Sequence, residues 1–118
     1  MDDVLFKEKD PLGNVITLST ERYNQHIIQD SGHTDMHPEV IRRTIVSPIF
    51  IYPSSRSQTR NVYFSKSTGH PTYYTKVAAE IDEETKTGTV VTAFTSKEIA
   101  GGINKEGGAL YIDINNKL

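Results

Sequence analysis

Residues 48–66 read PIFIYPSSRSQTRNVYFSK, and the change of rhythm at their start decides the fold. Before Pro48, the segment PEVIRRTIV (38–46) places Val40, Ile41, Thr44 and Ile45 at the three- and four-residue spacing of one helix face. From Pro48 onward the period is two. In RNVYFSK, Arg60, Val62, Phe64 and Lys66 fall on one side and Asn61, Tyr63 and Ser65 on the other. Pro48 disfavours helix at the residue before it, so it separates the two regimes.

Working outward, the same alternation recurs in PTYYTKVAAEID and TGTVVTAFTS, both rich in β-branched and aromatic residues. SSRSQT, STGH and DEETKTG lie between these runs and are turn-like. GGALYIDINNKL adds an edge strand after a glycine-rich loop. Upstream, VLFKEKD and NVITLS form a hairpin around PLGN. A helix is expected over TERYNQHIIQD, with Thr20 as N-cap, His26 on the face of Tyr23 and Ile27, and Gly32 at its end. His37-Pro38-Glu39 opens the next helix, because proline suits the first helical position. The expected class is α+β: N-terminal helices packed on one face of an antiparallel β-sheet of about four to five strands.

The 118 residues are expected to form a single domain, 1–118. MDDVLFKEKD lacks the pattern of a signal peptide, and no apolar run approaches the ~20 residues that span a bilayer. The expectation is a cytoplasmic protein with no membrane partner. Without cysteine, disulfides and thiolate metal sites are excluded. The net charge of −2 hides a segregation. Residues 1–39 carry eight acids and three bases, and residues 80–118 carry seven acids and four bases. Residues 40–79 carry Arg42, Arg43, Arg56, Arg60, Lys66 and Lys76 and no acid. Such a block builds a positive field suited to phosphate backbones, unless acids from elsewhere fold over it.

Three of the four histidines lie within HIIQDSGHTDMHPEV (26–40). His33 and His37 have the i, i+4 spacing of a zinc helix, but Gly32 and Pro38 keep them off one helix, and no H-E-x-x-H carboxylate is present. His33 reads as a loop residue and His37 as a cap, so neither a metal nor any other cofactor is expected. His26 is either a satisfied core imidazole or a general acid or base, which histidine's near-neutral titration permits. Lys76 suits a developing phosphorane charge, and Thr92 or Tyr63 suits a hydrogen bond to it. Arg60, Lys66, Tyr63 and Tyr74 complete a candidate phosphate- and RNA-binding set.

The order STERYNQHII, HPEVIRRTIVSPIFIY, RNVYFSK, YYTKVAAEID, GTVVTAFTSKE resembles the phage-type branch of the barnase–EndoU–colicin–RelE-like nucleases. The resemblance covers about residues 14–97, and its most telling pieces are Arg22 to Ile27 (R-x-x-x-H-I), His37 to Glu39 and Val90 to Phe94. It implies a prophage- or toxin-associated, metal-independent ribonuclease that cleaves RNA by 2′-hydroxyl attack. tRNA is one candidate substrate, and an inhibitor or antitoxin protein is an expected partner. His26 matches the motif histidine and Thr92 the hydroxyl residue of V-V-T-A-F; with Lys76 they form the expected catalytic set. The alternative is a catalytically inactive RNA-binding or protein-interaction module.

Overall fold

The computed structural model describes residues 3–27, 36–67, 72–99 and 101–113. Among them are seven strands in one mixed sheet and two short helical segments, which corrects the expected antiparallel four- to five-stranded sheet under N-terminal helices. The strands are β1 (Val4–Lys9), β2 (Val15–Ser19), β3 (Phe50–Pro53), β4 (Arg60–Lys66), β5 (Tyr74–Asp82), β6 (Thr87–Ser96) and β7 (Tyr111–Ile112). Their spatial order is β1-β2-β6-β5-β4-β3-β7. The correction has one main source. The N-terminal hairpin does not stand apart: β2 docks parallel on β6, pairing Val15, Ile16 and Thr17 with Thr87, Gly88 and Thr89. Every other pairing is antiparallel.

The docking is driven by burial and permitted by a glycine. Ile16 and Leu18 are fully buried, and fully burying such a side chain is worth about 1.5–3 kcal/mol. Gly88 lies where β2, β6 and β5 meet. A Cβ there would stand 2.7 Å from the Glu80 carbonyl oxygen and 2.8 Å from Ile16 Cδ1. The hairpin turn is fixed by Asp10, whose Oδ1 accepts the backbone N–H groups of Leu12 (2.9 Å) and Asn14 (2.8 Å). Gly13, at φ +90°, supplies the left-handed residue of the turn.

The helices are brief. α1 (Thr20–Arg22) passes directly into a π-helical turn, Tyr23–Ile27. Its N-cap is Ser19, one residue before the expected Thr20, with Oγ accepting from Arg22 N at 3.1 Å. The expected stop at Gly32 lies outside the described residues. α2 (Pro38–Val46) matches its expectation, with Pro38 in the first turn and His37 at the N-cap, though the imidazole makes no capping bond. Ile41, Thr44 and Ile45 of α2 are buried, as is Ile27.

These helical residues cover one face of the sheet, packing with Phe6, Ile16, Leu18, Ile51, Tyr63, Val77, Ala79, Val90 and Ala93. In β6 strict alternation fails. Thr92 opposes Ala78 and Val90 opposes Ala79, so Val91 is a bulged extra residue and Val90 joins Ala93 on the covered face. The second face carries Arg60, Phe64, Lys76, Glu80, Thr92 and Phe94. No helix among the described residues is long and apolar enough to cross a membrane.

Candidate nucleic-acid interface

Strand alternation sets Arg60, Lys66, Tyr74 and Lys76 on the face away from the core cluster, the Val91 bulge separates Thr92 from Val90, and the pairing register arranges them. Lys76, Ala78 and Glu80 follow one another along β5 on the second face. Arg60 opposes Glu80, Phe64 opposes Lys76, and Lys66 opposes Tyr74. Phe94 also opposes Lys76, and Thr92 opposes Ala78. Thr92 is thus a diagonal neighbour of Lys76, at the ~7–8 Å typical of such pairs.

Lys76 is 8% exposed, yet its side chain has partners. Its Nζ lies 5.1 Å from the Phe94 ring centroid and 5.8 Å from that of Phe64, and it donates to the Gly101 carbonyl oxygen. The strap that supplies this carbonyl is pinned to the end of β3. Ser55 N donates to Gly102 O and Asn104 N to Pro53 O, both at 2.8 Å. Gly101 and Gly102 adopt φ +78° and +69°, and a Cβ on Gly101 would come within 3.5 Å of the ammonium. Burial, and then the nearby Arg56 guanidinium, lowers the Lys76 pKa.

Further along the same face is an open groove of about 1310 Å³, whose lining holds two bases, Arg22 and Arg60, and four acids, Glu80, Asp82, Glu83 and Glu84. Arg60 Nε donates to Glu80 Oε2 at 2.7 Å, and Thr59 Oγ1 donates to Glu80 Oε1. The Thr59 hydrogen bond, followed by that of Arg60, holds the Glu80 carboxyl below its ordinary pKa. Arg22, the last residue of α1, also lines this groove.

Tyr63, expected to face RNA, is instead fully buried on the covered face. Its hydroxyl donates to Asp10 Oδ2 at 2.5 Å. Burial, then this carboxylate, raises the phenol pKa far above the usual range. Asp10, itself 4% exposed, also accepts from Asn14 Nδ2 at 3.1 Å, so the buried charge has a full set of donors. The residue is structural because odd positions of β4 point under α2. The His26 side chain, His33 and His70 lie outside the described residues. The turn that bears His26 packs through Ile27 on the covered face, while Lys76 and Thr92 rise from the second.

The basic block is also partly neutralised by acids from outside it. Arg42 makes two bonds to Glu39, at 2.6 and 2.8 Å, and approaches Glu8 at 3.7 Å. Arg60 takes Glu80. Glu80 escaped the sequence reading because it belongs to the next block by position, yet the β4–β5 register sets it opposite Arg60. Arg60 and Glu80 are 20 residues apart, beyond any local pattern. Among the described residues, no group of three or more His, Asp or Glu is placed to hold a metal ion. No protein-family model, curated protein or solved structure matches the chain.

Proposed function

We propose that the protein is a metal-independent endoribonuclease whose reacting centre is the groove between Arg22, Arg60 and Glu80. One observation carries the reading. Arg22, the first residue of the R-x-x-x-H-I motif, and the Arg60–Glu80 pair line one open groove. Two guanidiniums suit the non-bridging oxygens of a phosphodiester, and the Glu80 carboxylate beside them suits proton abstraction, while Asp82, Glu83 and Glu84 of the same groove work against the strand's charge. Glu80 takes the proton of the 2′-hydroxyl as that oxygen bonds to phosphorus. The bond from phosphorus to the 5′-oxygen breaks, and the leaving oxygen takes a proton. His26, four residues after Arg22, is assigned that donation from the motif. The products are a 2′,3′-cyclic phosphate and a 5′-hydroxyl.

Lys76 does not serve the same phosphate as Glu80. Four residues along a strand span ~13 Å, too far for two groups flanking one phosphorus. Lys76 and Thr92 instead hold the strand beyond the cleaved bond. The test is incubation of folded protein with total RNA in EDTA, scored for cyclic phosphate ends. Glu80→Gln is expected to lose about 10²–10⁴-fold in rate, the usual worth of a general base. RNA left intact by folded wild type over a wide concentration range overturns the reading.

A second reading is favoured by one observation. Both Glu80 oxygens already accept hydrogen bonds, from Arg60 and Thr59. A carboxylate so occupied fits a module that binds RNA without cutting it. That module would show salt-sensitive RNA affinity and no product.

A further inference from the structure

A separate pocket lies away from the groove, between the second half of α2 and the end of β4. It encloses about 370 Å³ and is lined by Val40, Arg42, Arg43, Val46, Ser47, Ser65 and Lys66. That volume is at the small end of the ~300–1,000 Å³ of ligand pockets. Among the described residues, three of its seven lining residues are cations and none is an acid. Arg42 is committed to Glu39 and Glu8. Among the described residues, neither Arg43 nor Lys66 lies within ion-pair distance of a carboxylate. Two unit charges on one small concavity repel, and they are set there by different elements, a helix and a strand end.

The hydroxyls are not equivalent. Thr44 Oγ1 donates its single proton to Val40 O at 2.9 Å and contacts Ser65 Oγ at 2.7 Å. Ser65 must therefore spend its own proton on Thr44, and it forms floor rather than donor. Ser47, the C-cap of α2, is exposed. One term opposes an anion here: the C-terminal end of a helix carries about half a negative charge. Two full positive charges outweigh it.

We infer that this pocket is a phosphate-binding site, in which Arg43 and Lys66 hold the anion and Ser47 donates a hydroxyl hydrogen bond. The ligand is a phosphate oxyanion, either free or as a phosphodiester of a bound RNA strand. The second case rests on the proposed function; the first does not.

The experiment records backbone amide spectra of the full chain during titration, first with inorganic phosphate and then with a single-stranded RNA oligonucleotide. In the phosphate arm, the amides of Ser47 and Lys66 are expected to shift saturably in the wild type. They are expected to stay still in the Arg43→Gln/Lys66→Gln double variant and to move again in Arg43→Lys/Lys66→Arg. In the RNA arm, the slope of log affinity against log salt is expected to fall by about one for each cation removed. A phosphate response with an unchanged RNA slope assigns the site to a free phosphate group and supports it. No saturable phosphate response in folded wild type, together with an unchanged RNA slope in the double variant, overturns the site. Cleavage is scored separately through cyclic phosphate ends, so a failed nuclease reading is distinguishable from a failed phosphate site.

Discussion

The two faces of the sheet treat buried polar groups in opposite ways. On the covered face, Tyr63 and Asp10 meet across 53 residues and close a network that also takes Asn14 and the Leu12 backbone. Every donor there ends on the same carboxylate, and nothing is left for a ligand. On the second face, Lys76 lies among aromatic rings, a strap carbonyl and a neighbouring like charge in Arg56. The Arg60–Glu80 pair beside it stays open to solvent, with side chains 38% and 45% exposed. A network that satisfies itself stabilises a fold, whereas a face that keeps charge near solvent has electrostatics to spend on a partner.

The sharpest way to break this contrast is Asp10→Ala. It strands the Tyr63 hydroxyl and the Asn14 donors in a buried site, at about 1–3 kcal/mol for each unsatisfied group. With two groups stranded, chemical denaturation is expected to show a loss of about 2–6 kcal/mol. A loss below ~1 kcal/mol would mean that water reaches the covered face. Next in size is Gly88→Ala, which forces a Cβ against the Glu80 carbonyl and the Ile16 side chain. Overpacking of this kind costs about 1–3 kcal/mol, and the parallel β2–β6 seam should show it as faster amide exchange at Ile16.

A smaller effect tests the second face through pH. Burial lowers the Lys76 pKa in the folded chain below its unfolded value near ~10.4. Between the two values the unfolded chain binds more protons, so stability rises with pH there. Below the folded value, the cost of the buried charge is present in full. The Tm of the wild type is therefore expected to gain on that of Lys76→Met as pH climbs from neutral toward 10. A constant gap would show the ammonium to be well solvated. The smallest stability change belongs to Arg60→Gln, because exposed ion pairs are worth about 0–1 kcal/mol. RNA cleavage or binding should nonetheless fall at least tenfold, which sets function against stability at one residue.

Much of this was legible along the chain. The alternation in RNVYFSK sorted Tyr63 from Phe64 correctly, and Pro38 with Pro48 bounded α2. Alternation already set Tyr63 on the side of β4 opposite Arg60 and Lys66, so one RNA-facing set could not hold all three, and the structure buries Tyr63. The charge count saw a basic block and left open whether acids fold over it; that Glu80, Glu39 and Glu8 do so was not readable, since counting along the sequence ignores cross-strand neighbours. The Val91 bulge left no composition signal, because Val90 and Val91 are chemically identical and only the β5 pairing tells them apart.

By itself, then, the sequence determined the local elements: the hairpin at Asp10 to Asn14, the span of α2, the strand runs and the turns between them. Those depend on residues a few positions apart, where propensity, capping and alternation act. Tertiary structure alone decided that β2 joins β6 in parallel, that Arg22 shares a groove with Arg60 and Glu80, and that Arg43 meets Lys66. Each of these contacts joins residues some 20 or more positions apart. The β2–β6 seam draws on burial that exists only once the sheet has closed, and the groove and the pocket follow from the register that the closed sheet imposes.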